Sequence, residues 1–185
     1  MNTFVYVFGQ PGSGKTTLMR EVCRRGMMLY SAMTPIKHRG YSWGGGLFGV
    51  LGSDAWPFGG TDTLSYTAVA DAGRWVPAMR KCKAGGLVFA EGDRLANLRF
   101  FGEVEKHYRL LAFYLSCDDA LADARRKMRA RQHRLPAQSE AWVSGRVTKH
   151  HNLAMQFPGT YRLDSSFEAA ALSRIVWESV LSEKT

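Results

Sequence analysis

Residues 9–16 have the sequence Gly-Gln-Pro-Gly-Ser-Gly-Lys-Thr, which fits the pattern G-x-x-x-x-G-K-[ST] at every constrained position. The apolar, aromatic and β-branched run at residues 4–8 comes directly before it and predicts a buried strand. Residues 15–25 follow with apolar side chains at helical spacing and predict a helix. A strand, a glycine-rich turn and a helix in this order constrain the fold strongly, because they open a parallel α/β arrangement.

The alternation of strands and helices continues along the chain. Apolar runs predict further strands at 86–90, 109–115 and 161–164. Helices are predicted at 93–107, from about 118 to 133, at 139–155 and at 166–181, with N-caps at Asp93, at Asp118 or Asp119, and at Ser166. We therefore predict one domain over residues 1–185, of the P-loop NTPase type. It has three α/β/α layers and a mostly parallel sheet.

The glycine-rich turn has the chemistry of a phosphate cradle. Glycines let consecutive backbone N–H groups face one anion, and the next helix points its positive end at the same place. We expect Lys15 to reach the β- and γ-phosphates of a nucleoside triphosphate, taken as ATP, and the Thr16 hydroxyl to ligate Mg²⁺. The predicted ATP-binding residues are Gly9, Pro11, Gly12, Ser13, Gly14, Lys15, Thr16 and Thr17.

An acidic group is expected near the metal ion, and Glu91-Gly92-Asp93-Arg94 follows an apolar run. The carboxyl end of a parallel strand lies at the edge of the sheet where ligands bind. Glu91 could join the Mg²⁺ shell or take the proton from an attacking hydroxyl. Asp93 could take that proton or simply cap the next helix. Arg94 could bind a substrate phosphate, balance charge at the site or be a solvated surface arginine.

The basic region, residues 118–151, carries most of the positive charge. Residues 120–151 hold eight Lys and Arg against two acids, a net +6 of the chain's +9. This shortage of acids leaves arginines without i,i+4 partners, although a charged helix can also be a solvated face. We expect a lid-like helical region that neutralises charge during phosphoryl transfer. Its candidate arginines are Arg125, Arg129 and Arg131.

A glycine-rich and aromatic stretch interrupts the strand and helix alternation. Residues 44–60 hold seven glycines, and Trp43, Phe48, Trp56 and Phe58 lie in or beside them. Over residues 36–60 this predicts a hairpin or loops on the substrate side. The stretch is either a substrate lid with stacking aromatics or a solvent-facing loop with aromatics folded onto the core.

Other residues near this stretch are candidates for substrate contact. Asp62 could bind a hydroxyl, act as a general base or be a turn residue. The predicted substrate-binding residues are Arg39, Trp43, Asp62 and Arg94.

Composition narrows the partners and the setting. A formal charge of +9 and a pI near 9.7 favour polyanionic partners. Because no uncharged apolar run approaches the roughly 18 residues of a bilayer span, we expect no membrane segment. The N-terminus has no basic leader before its apolar run, and the three cysteines form neither a disulfide pattern nor a zinc spacing. We expect a cytoplasmic protein.

These motifs resemble those of a known group. The phosphate loop GQPGSGKTT, the strand end EGDRL and the arginine-rich element before a last strand and helix resemble the small nucleotide kinases of the P-loop superfamily. Thymidylate kinases have a similar Asp-Arg pair after a strand, but residues 38–60 depart from them and no clear match to their lid pattern is present. The strings GGTDTLS, EGDRLAN and GRVTKHHNL resemble phage-encoded kinases of the 5-hydroxymethyluracil DNA kinase type. That resemblance implies phosphorylation of a base hydroxymethyl group in viral DNA, in the host cytoplasm.

Three functions therefore remain open. The first is a kinase acting on a nucleobase hydroxyl in DNA, with aromatic side chains stacking on an extruded base. The second is a kinase for free deoxynucleoside monophosphates, which needs the same centre but fewer external basic residues. The third is a P-loop ATPase or nucleotide switch that hydrolyses without an acceptor.

Overall fold

The structure, a computed structural model, describes residues 2–54 and 59–182. Within these residues seven strands form one sheet, in the order β2-β3-β4-β5-β1-β6-β7. The strands are β1 (Thr3–Phe8), β2 (Met27–Ala32), β3 (His38–Trp43), β4 (Gly46–Leu51), β5 (Leu87–Glu91), β6 (Arg109–Ser116) and β7 (Tyr161–Asp164). The helices are α1 (Lys15–Cys23), α2 (Ala72–Arg80), α3 (Leu98–Glu105), α4 (Asp119–His133), α5 (Glu140–Gln156) and α6 (Ala169–Leu181).

The sheet is mostly parallel. β4, β5, β1, β6 and β7 run in one direction, and Val5 of β1 lies opposite Phe89 of β5 and Leu111 of β6. β3 is antiparallel to both of its neighbours, β2 and β4. Parallel strands need helices over both faces of the sheet, and the helices between them provide that cover. The predicted α/β fold with a mostly parallel sheet is confirmed.

The two faces of the sheet are distinguished by the alternation of side chains along β1. Phe4, Tyr6 and Phe8 pack on one face with residues of α2, α3 and α5. Val5 and Val7 pack on the other face with residues of α1 and α6. All five side chains are fully buried. The uninterrupted apolar run before the glycine-rich turn therefore belongs to a central strand covered on both sides.

The glycine and aromatic stretch contributes a β-hairpin. β3 and β4 pair along their whole length, and Gly44 and Gly45 form the turn between them with φ values of 55° and 79°. Only glycine adopts such values readily. At the other end of the hairpin, His38 of β3 pairs with Leu51 of β4. The turn therefore lies far from the carboxyl end of β4.

Trp43, predicted to contact substrate, lies beside this turn. Its ring packs against Trp177 of α6, with centroids 4.3 Å apart. The antiparallel direction of β3 carries Trp43 toward the amino ends of the parallel strands, away from the phosphate loop. The structure therefore assigns Trp43 to packing rather than to the substrate side. The nearby aromatics Trp56 and Phe58 lie outside the described residues.

The predicted helix cap at Asp93 is corrected. Asn97 caps α3, because its side-chain oxygen accepts the N–H of Phe100 at 2.9 Å. The backbone N–H of Asp93 is instead bound by the Asp62 carboxylate at 3.0 Å. Asp93 therefore lies in a turn before α3, where its side chain is available for other contacts.

The predicted N-cap of α4 agrees with the structure, whereas that of α6 does not. Asp118 caps α4, since its carboxylate accepts the N–H groups of Ala120 and Leu121. Ser166 does not cap α6, which follows Glu168 as the N-cap residue. The N–H of Ser166 is bound by Asp164 at 2.8 Å, so residues 165–167 form a separate turn. This turn forms one wall of a cavity beside the glycine-rich turn at residues 9–16.

The basic region forms α4 and α5, as its sequence predicts. A left-handed residue, Arg134 with a φ of 51°, ends α4, and Ser139 caps α5 by accepting the N–H of Trp142. In the part of the chain that the structure describes, no helix combines the length and apolar character needed to cross a bilayer.

The packing of α6 against the sheet gives a first test. Trp177 is fully buried between Trp43, Phe48 and Phe89. We expect Trp177→Ala to lower the free energy of unfolding by about 3–5 kcal/mol, measured by urea denaturation, because it leaves a large cavity. Ile175→Ala on the same helix, where Ile175 is 44% exposed, is the control and should cost about 1 kcal/mol or less. Equal losses in the two variants would contradict the packing.

Candidate active site

The phosphate loop joins β1 to α1 in the geometry that its glycines predict. Gly12 and Gly14 have φ values of 89° and 92°, which other residues adopt rarely. A Cβ atom on Gly12 would also collide with the carbonyl oxygen of Ala122. The helix starts at Lys15, so the N–H groups of its first turn have no acceptor within the helix. This helix end is suited to an anion.

Lys15 is held inside the loop. Its Nζ donates to the carbonyl oxygens of Gly9 at 2.9 Å and Gln10 at 3.0 Å. Burial lowers the pKa of Lys15, against the opposing effect of the Glu91 carboxylate. The ammonium group is thus positioned beside the loop before any phosphate binds, which limits the reorganisation that binding requires.

Glu91 and Thr16, the two predicted magnesium ligands, are in contact. The Thr16 hydroxyl donates to Oε1 of Glu91 at 3.0 Å. Glu91 is only 2% exposed, and a Cβ on Gly60 would collide with its carboxylate. Burial raises the pKa of Glu91 to about 7, although Lys15 acts in the opposite direction. A buried carboxylate that titrates near neutral pH is a strong candidate for chemistry.

The donor set fits Mg²⁺. This ion is usually held by one or two carboxylates together with substrate phosphates and water, not by a complete protein cage. Thr16 and Glu91 supply a hydroxyl and a carboxylate beside the phosphate loop. Across residues 2–54 and 59–182, no group of three or more His, Cys, Asp or Glu side chains is arranged to hold a metal. A magnesium ion at this site would therefore need the phosphates of a bound nucleotide.

Asp93 is surrounded by cations of α5. Arg146 lies 2.9 Å from its Oδ2, and Lys149 donates to its Oδ1 at 2.9 Å and to its carbonyl oxygen at 2.8 Å. His150 Nε2 lies 3.0 Å from Oδ1, although the contact is too bent for a hydrogen bond. Burial alone would raise the pKa of Asp93, but the contacts with His150 and Lys149 hold it well below the ordinary value. Asp93 is thus a poor proton acceptor compared with Glu91.

Asp62 and Arg94 shape the strand end instead of pointing free into it. Oδ1 of Asp62 accepts the N–H groups of Asp93 at 3.0 Å and Arg94 at 3.1 Å. The Arg94 guanidinium donates to the carbonyl oxygen of Leu64 at 2.7 Å and lies 4.1 Å from the ring centroid of Tyr66. Of the roles predicted for Asp62, the structure favours the turn residue.

Two cavities, which we name for the roles that we propose for them, meet at Thr16. The donor cavity, of about 480 Å³, is lined by residues 12–18 of the loop and α1, by Arg125 and Arg129 of α4, and by residues 165–169. The acceptor cavity, of about 300 Å³, is lined by Thr16, Met19, Arg20, Cys23, Arg24, Arg39, Asp54, Gly60 and Glu91. The phosphate loop and the buried acid therefore lie between two spaces that differ in size and lining.

The three predicted lid arginines have different surroundings. Arg125 donates to the hydroxyl of Ser165 at 3.2 Å and to its carbonyl oxygen at 3.1 Å, at the wall of the donor cavity. Arg129, one helical turn later, lines the same cavity. Arg131 is exposed and does not line it. Arg126, which was not predicted, donates to the carbonyl oxygen of Pro11 at 2.9 Å and ties α4 to the phosphate loop.

Arg39, near the start of β3, lines the acceptor cavity, and its contact with substrate stays a prediction. Its side chain is 10% exposed, donates to the Tyr41 hydroxyl at 2.9 Å and lies 3.5 Å from Asp54. Arg20 also lies 3.5 Å from Asp54. The position of Arg20 was predictable, because a residue four places after Thr16 shares its helix face. Nothing in the glycine-rich stretch distinguished Asp54.

Comparison with known proteins agrees with this geometry. The sequence profile described as P-loop Nucleotide Kinase3 matches residues 1–167. The chain belongs to this family. No curated protein matches the sequence. Among solved structures, an unliganded sugar kinase from Janibacter sp. HTCC2649 is similar, with a TM-score of 0.56, 13% identity, and coverage of 98% of this chain and 95% of that chain. At this identity the likeness supports the fold.

Membership of a P-loop nucleotide kinase family makes the site one for phosphoryl transfer. Kinases of this family generally bind a nucleotide together with Mg²⁺, and the two predicted metal ligands lie beside the phosphate loop. The family does not determine the acceptor.

The buried carboxylate predicts a pH-dependent stability. The folded, ligand-free protein holds a proton on Glu91 up to about pH 7, whereas the unfolded chain releases it near pH 4.5. Stability from this group therefore falls as pH rises through that window. We expect the difference in unfolding free energy, wild type minus Glu91→Gln, to fall by about 2 kcal/mol between pH 5 and 7.5, measured by urea denaturation.

Other titrating groups do not obscure this difference. Asp93 is ionised in both the folded and the unfolded state above pH 5, since its pKa is lowered. His150, whose pKa is lowered by burial, gives a slope of opposite sign that is common to both proteins and cancels. A difference that stayed constant with pH would contradict the buried, protonated carboxyl group.

Proposed function

We propose that the chain is an ATP-dependent, Mg²⁺-assisted kinase that transfers the γ-phosphoryl group to a nucleobase hydroxyl in DNA. The hydroxymethyl group of 5-hydroxymethyluracil is the preferred acceptor. The observation that carries the proposal is the pair of cavities that meet at Thr16, with Glu91 bordering the acceptor side. One cavity holds the phosphate loop and the other is lined by separate basic and acidic groups, as transfer between two substrates requires.

On the donor side, this chain supplies positioning and positive charge. The backbone of residues 12–17 and the Lys15 ammonium bind the triphosphate, and Thr16 would ligate the metal ion. Glu91 would meet the metal shell through water, which leaves its carboxylate free to accept a proton. When bound, Mg²⁺ neutralises charge on the β- and γ-phosphate oxygens. Arg125 and Arg129 add positive charge from α4, as the lid arginines of the proposed mechanism. Residues 118–151 act as the lid of a single kinase domain.

On the acceptor side, Glu91 is the proposed proton acceptor. Phosphoryl transfer passes through a loose transition state, so the acceptor hydroxyl keeps its proton until late and a strong base is unnecessary. A carboxylate whose pKa lies near 7 is suited to this task. The Asp93 carboxylate is paired with Arg146 of α5, and the Asp62 carboxylate accepts hydrogen bonds from backbone N–H groups. Glu91 is therefore preferred over both of these acids.

The DNA acceptor is supported by charge and by the size of the acceptor cavity. A cavity of about 300 Å³ is at the small end of ligand sites and has room for a single extruded base. The chain carries a formal charge of +9, which favours a polyanion. Residues 36–54, including Arg39, would form the substrate side of the domain.

A free deoxynucleoside monophosphate is the alternative acceptor. Arg20 and Arg39 both approach Asp54 in the acceptor cavity, and the same two guanidinium groups could bind one phosphate. A hydrolysing ATPase or switch is a third possibility, but it gives no role to a second cavity beside the acid.

A transfer assay separates these functions. Labelled ATP is offered with hydroxymethylated DNA, ordinary DNA and a panel of mononucleotides. We expect label only in hydroxymethylated DNA, because the reaction needs a base hydroxyl. Label only in mononucleotides would overturn the DNA acceptor, and phosphate release without labelled acceptor would favour the ATPase.

The phosphate cradle has its own test. Lys15→Ala should lower the transfer rate by about a thousandfold, because it removes one charged group from the γ-phosphate, while the thermal midpoint stays within a few degrees of the wild type. Lys106→Ala, which removes an exposed lysine paired with Glu103, is the matched control and should keep normal activity. Near-normal transfer by Lys15→Ala would show that the loop does not bind the donor.

A further inference from the structure

Two arginine–aromatic pairs lie at the strand end that holds Glu91. Tyr66 is 90% exposed, and its ring lies 4.1 Å from the Arg94 guanidinium. Trp142 is 41% exposed, and its ring lies 5.3 Å from the Arg146 guanidinium. Neither ring lines the donor cavity or the acceptor cavity, so the site described above gives these pairs no role.

Both pairs are fixed in place by other contacts. Arg94 is held by the carbonyl oxygen of Leu64 at 2.7 Å. Tyr66 begins a 3₁₀ turn that Ser65 caps by accepting the N–H of Thr67. Arg146 is anchored by Asp93 at 2.9 Å and lies one helical turn after Trp142 on α5. Because each arginine is restrained, the guanidinium group beside each ring loses little freedom on binding.

The two pairs converge on one short segment. Arg94 follows Asp93 in the chain, and Arg146 is bound to the Asp93 carboxylate. Asp93 lies two residues after Glu91, so their Cα atoms are no more than about 7 Å apart. Both pairs are therefore connected, through Arg94 and through the Asp93 carboxylate, to the segment that follows Glu91.

The chemistry of these pairs fits unpaired nucleobases. Aromatic rings bind any base through stacking, and arginines add cation–π and phosphate contacts. Arg94, Arg146 and Lys149 outweigh the two negative charges of Asp93 and Asp62, so the surface remains positive. A free mononucleotide has no neighbouring base to occupy the pairs, whereas a DNA strand has one on each side of its target nucleotide.

We propose that the Arg94–Tyr66 and Arg146–Trp142 pairs are stacking sites for the bases that flank the target nucleotide of a single-stranded or locally opened DNA acceptor. The inference rests on the proposed DNA acceptor and deepens it. The stacking sites bind the strand and orient the target, while Glu91 and the phosphate loop carry out the transfer.

Equilibrium binding tests the stacking sites without requiring transfer. A fluorescent single-stranded oligonucleotide with one central 5-hydroxymethyluracil is titrated with wild type, Tyr66→Ala and Trp142→Ala. We expect each alanine variant to raise Kd about ten- to a hundredfold, and Tyr66→Phe and Trp142→Phe to stay within about threefold of wild type because a ring is kept. Tyr161→Leu, which removes an exposed aromatic on edge strand β7, is the control and should bind normally.

Oligonucleotides with abasic sites beside the target separate stacking from a structural effect. Removing the flanking bases should lower the affinity of the wild type for the oligonucleotide. The affinity of the double variant Tyr66→Ala/Trp142→Ala should change little, because its stacking rings are already absent. In transfer assays, the alanine variants should raise KM for DNA while kcat and KM for ATP stay unchanged. Equal affinity of wild type and double variant for intact DNA would overturn the stacking sites.

The outcomes also separate this inference from the proposed function. If the wild type phosphorylates DNA but the alanine variants bind and react like it, the kinase assignment stands and the stacking sites are wrong. If the wild type phosphorylates only mononucleotides yet binds DNA through the two rings, the stacking sites stand and the acceptor is wrong. If the wild type does not bind DNA at all, the stacking sites are overturned.

Discussion

The parallel pairing of β1 with β5 fixes the geometry on which the site depends. In this register Val7 lies opposite Glu91, two residues before the phosphate loop begins at Gly9. The pairing therefore delivers the acid to the loop from a strand more than 80 residues away in the chain. The hydrogen bond between Thr16 and Glu91 follows from this register. A shift of one residue would turn Glu91 to the other face of the sheet.

Two acids two residues apart acquire opposite properties because of what surrounds them. Glu91 is enclosed by the turn at Gly60 and by the phosphate loop, so burial favours its neutral form. Asp93 meets Arg146 and Lys149 of α5, so its charged form is favoured. A proton acceptor and a structural anion thus coexist on one strand end. The distinction comes from the elements that pack on each acid, since the residue types are chemically alike.

Local patterns in the sequence are sufficient to predict the phosphate loop, the alternating order of strands and helices, and the strand that ends at Glu91. They were insufficient where the outcome depended on distant packing. The antiparallel direction of β3 decided that Arg39 borders the acceptor cavity while Trp43 packs on Trp177. The sequence predicts a helix from Asp93, but the Asp62 carboxylate binds the backbone N–H groups of Asp93 and Arg94 in a turn. The helix therefore begins later, at Leu98. The rotation of α4 likewise decided that Arg131 does not line the donor cavity.

Part of the positive charge of α4 and α5 is bound by groups of the protein itself. The net charge is therefore a weaker indication of a polyanionic partner. Arg125 binds the carbonyl oxygen of Ser165, and Arg126 binds that of Pro11. Arg146 and Lys149 both bind the Asp93 carboxylate. Net charge therefore overstates the free electrostatic attraction for a polyanion, since these side chains are held in fixed positions. Fixed guanidinium groups, however, discriminate between ligands by geometry better than mobile ones do. Selection of an acceptor by this chain should therefore depend more on the placement of cavities and rings than on total charge.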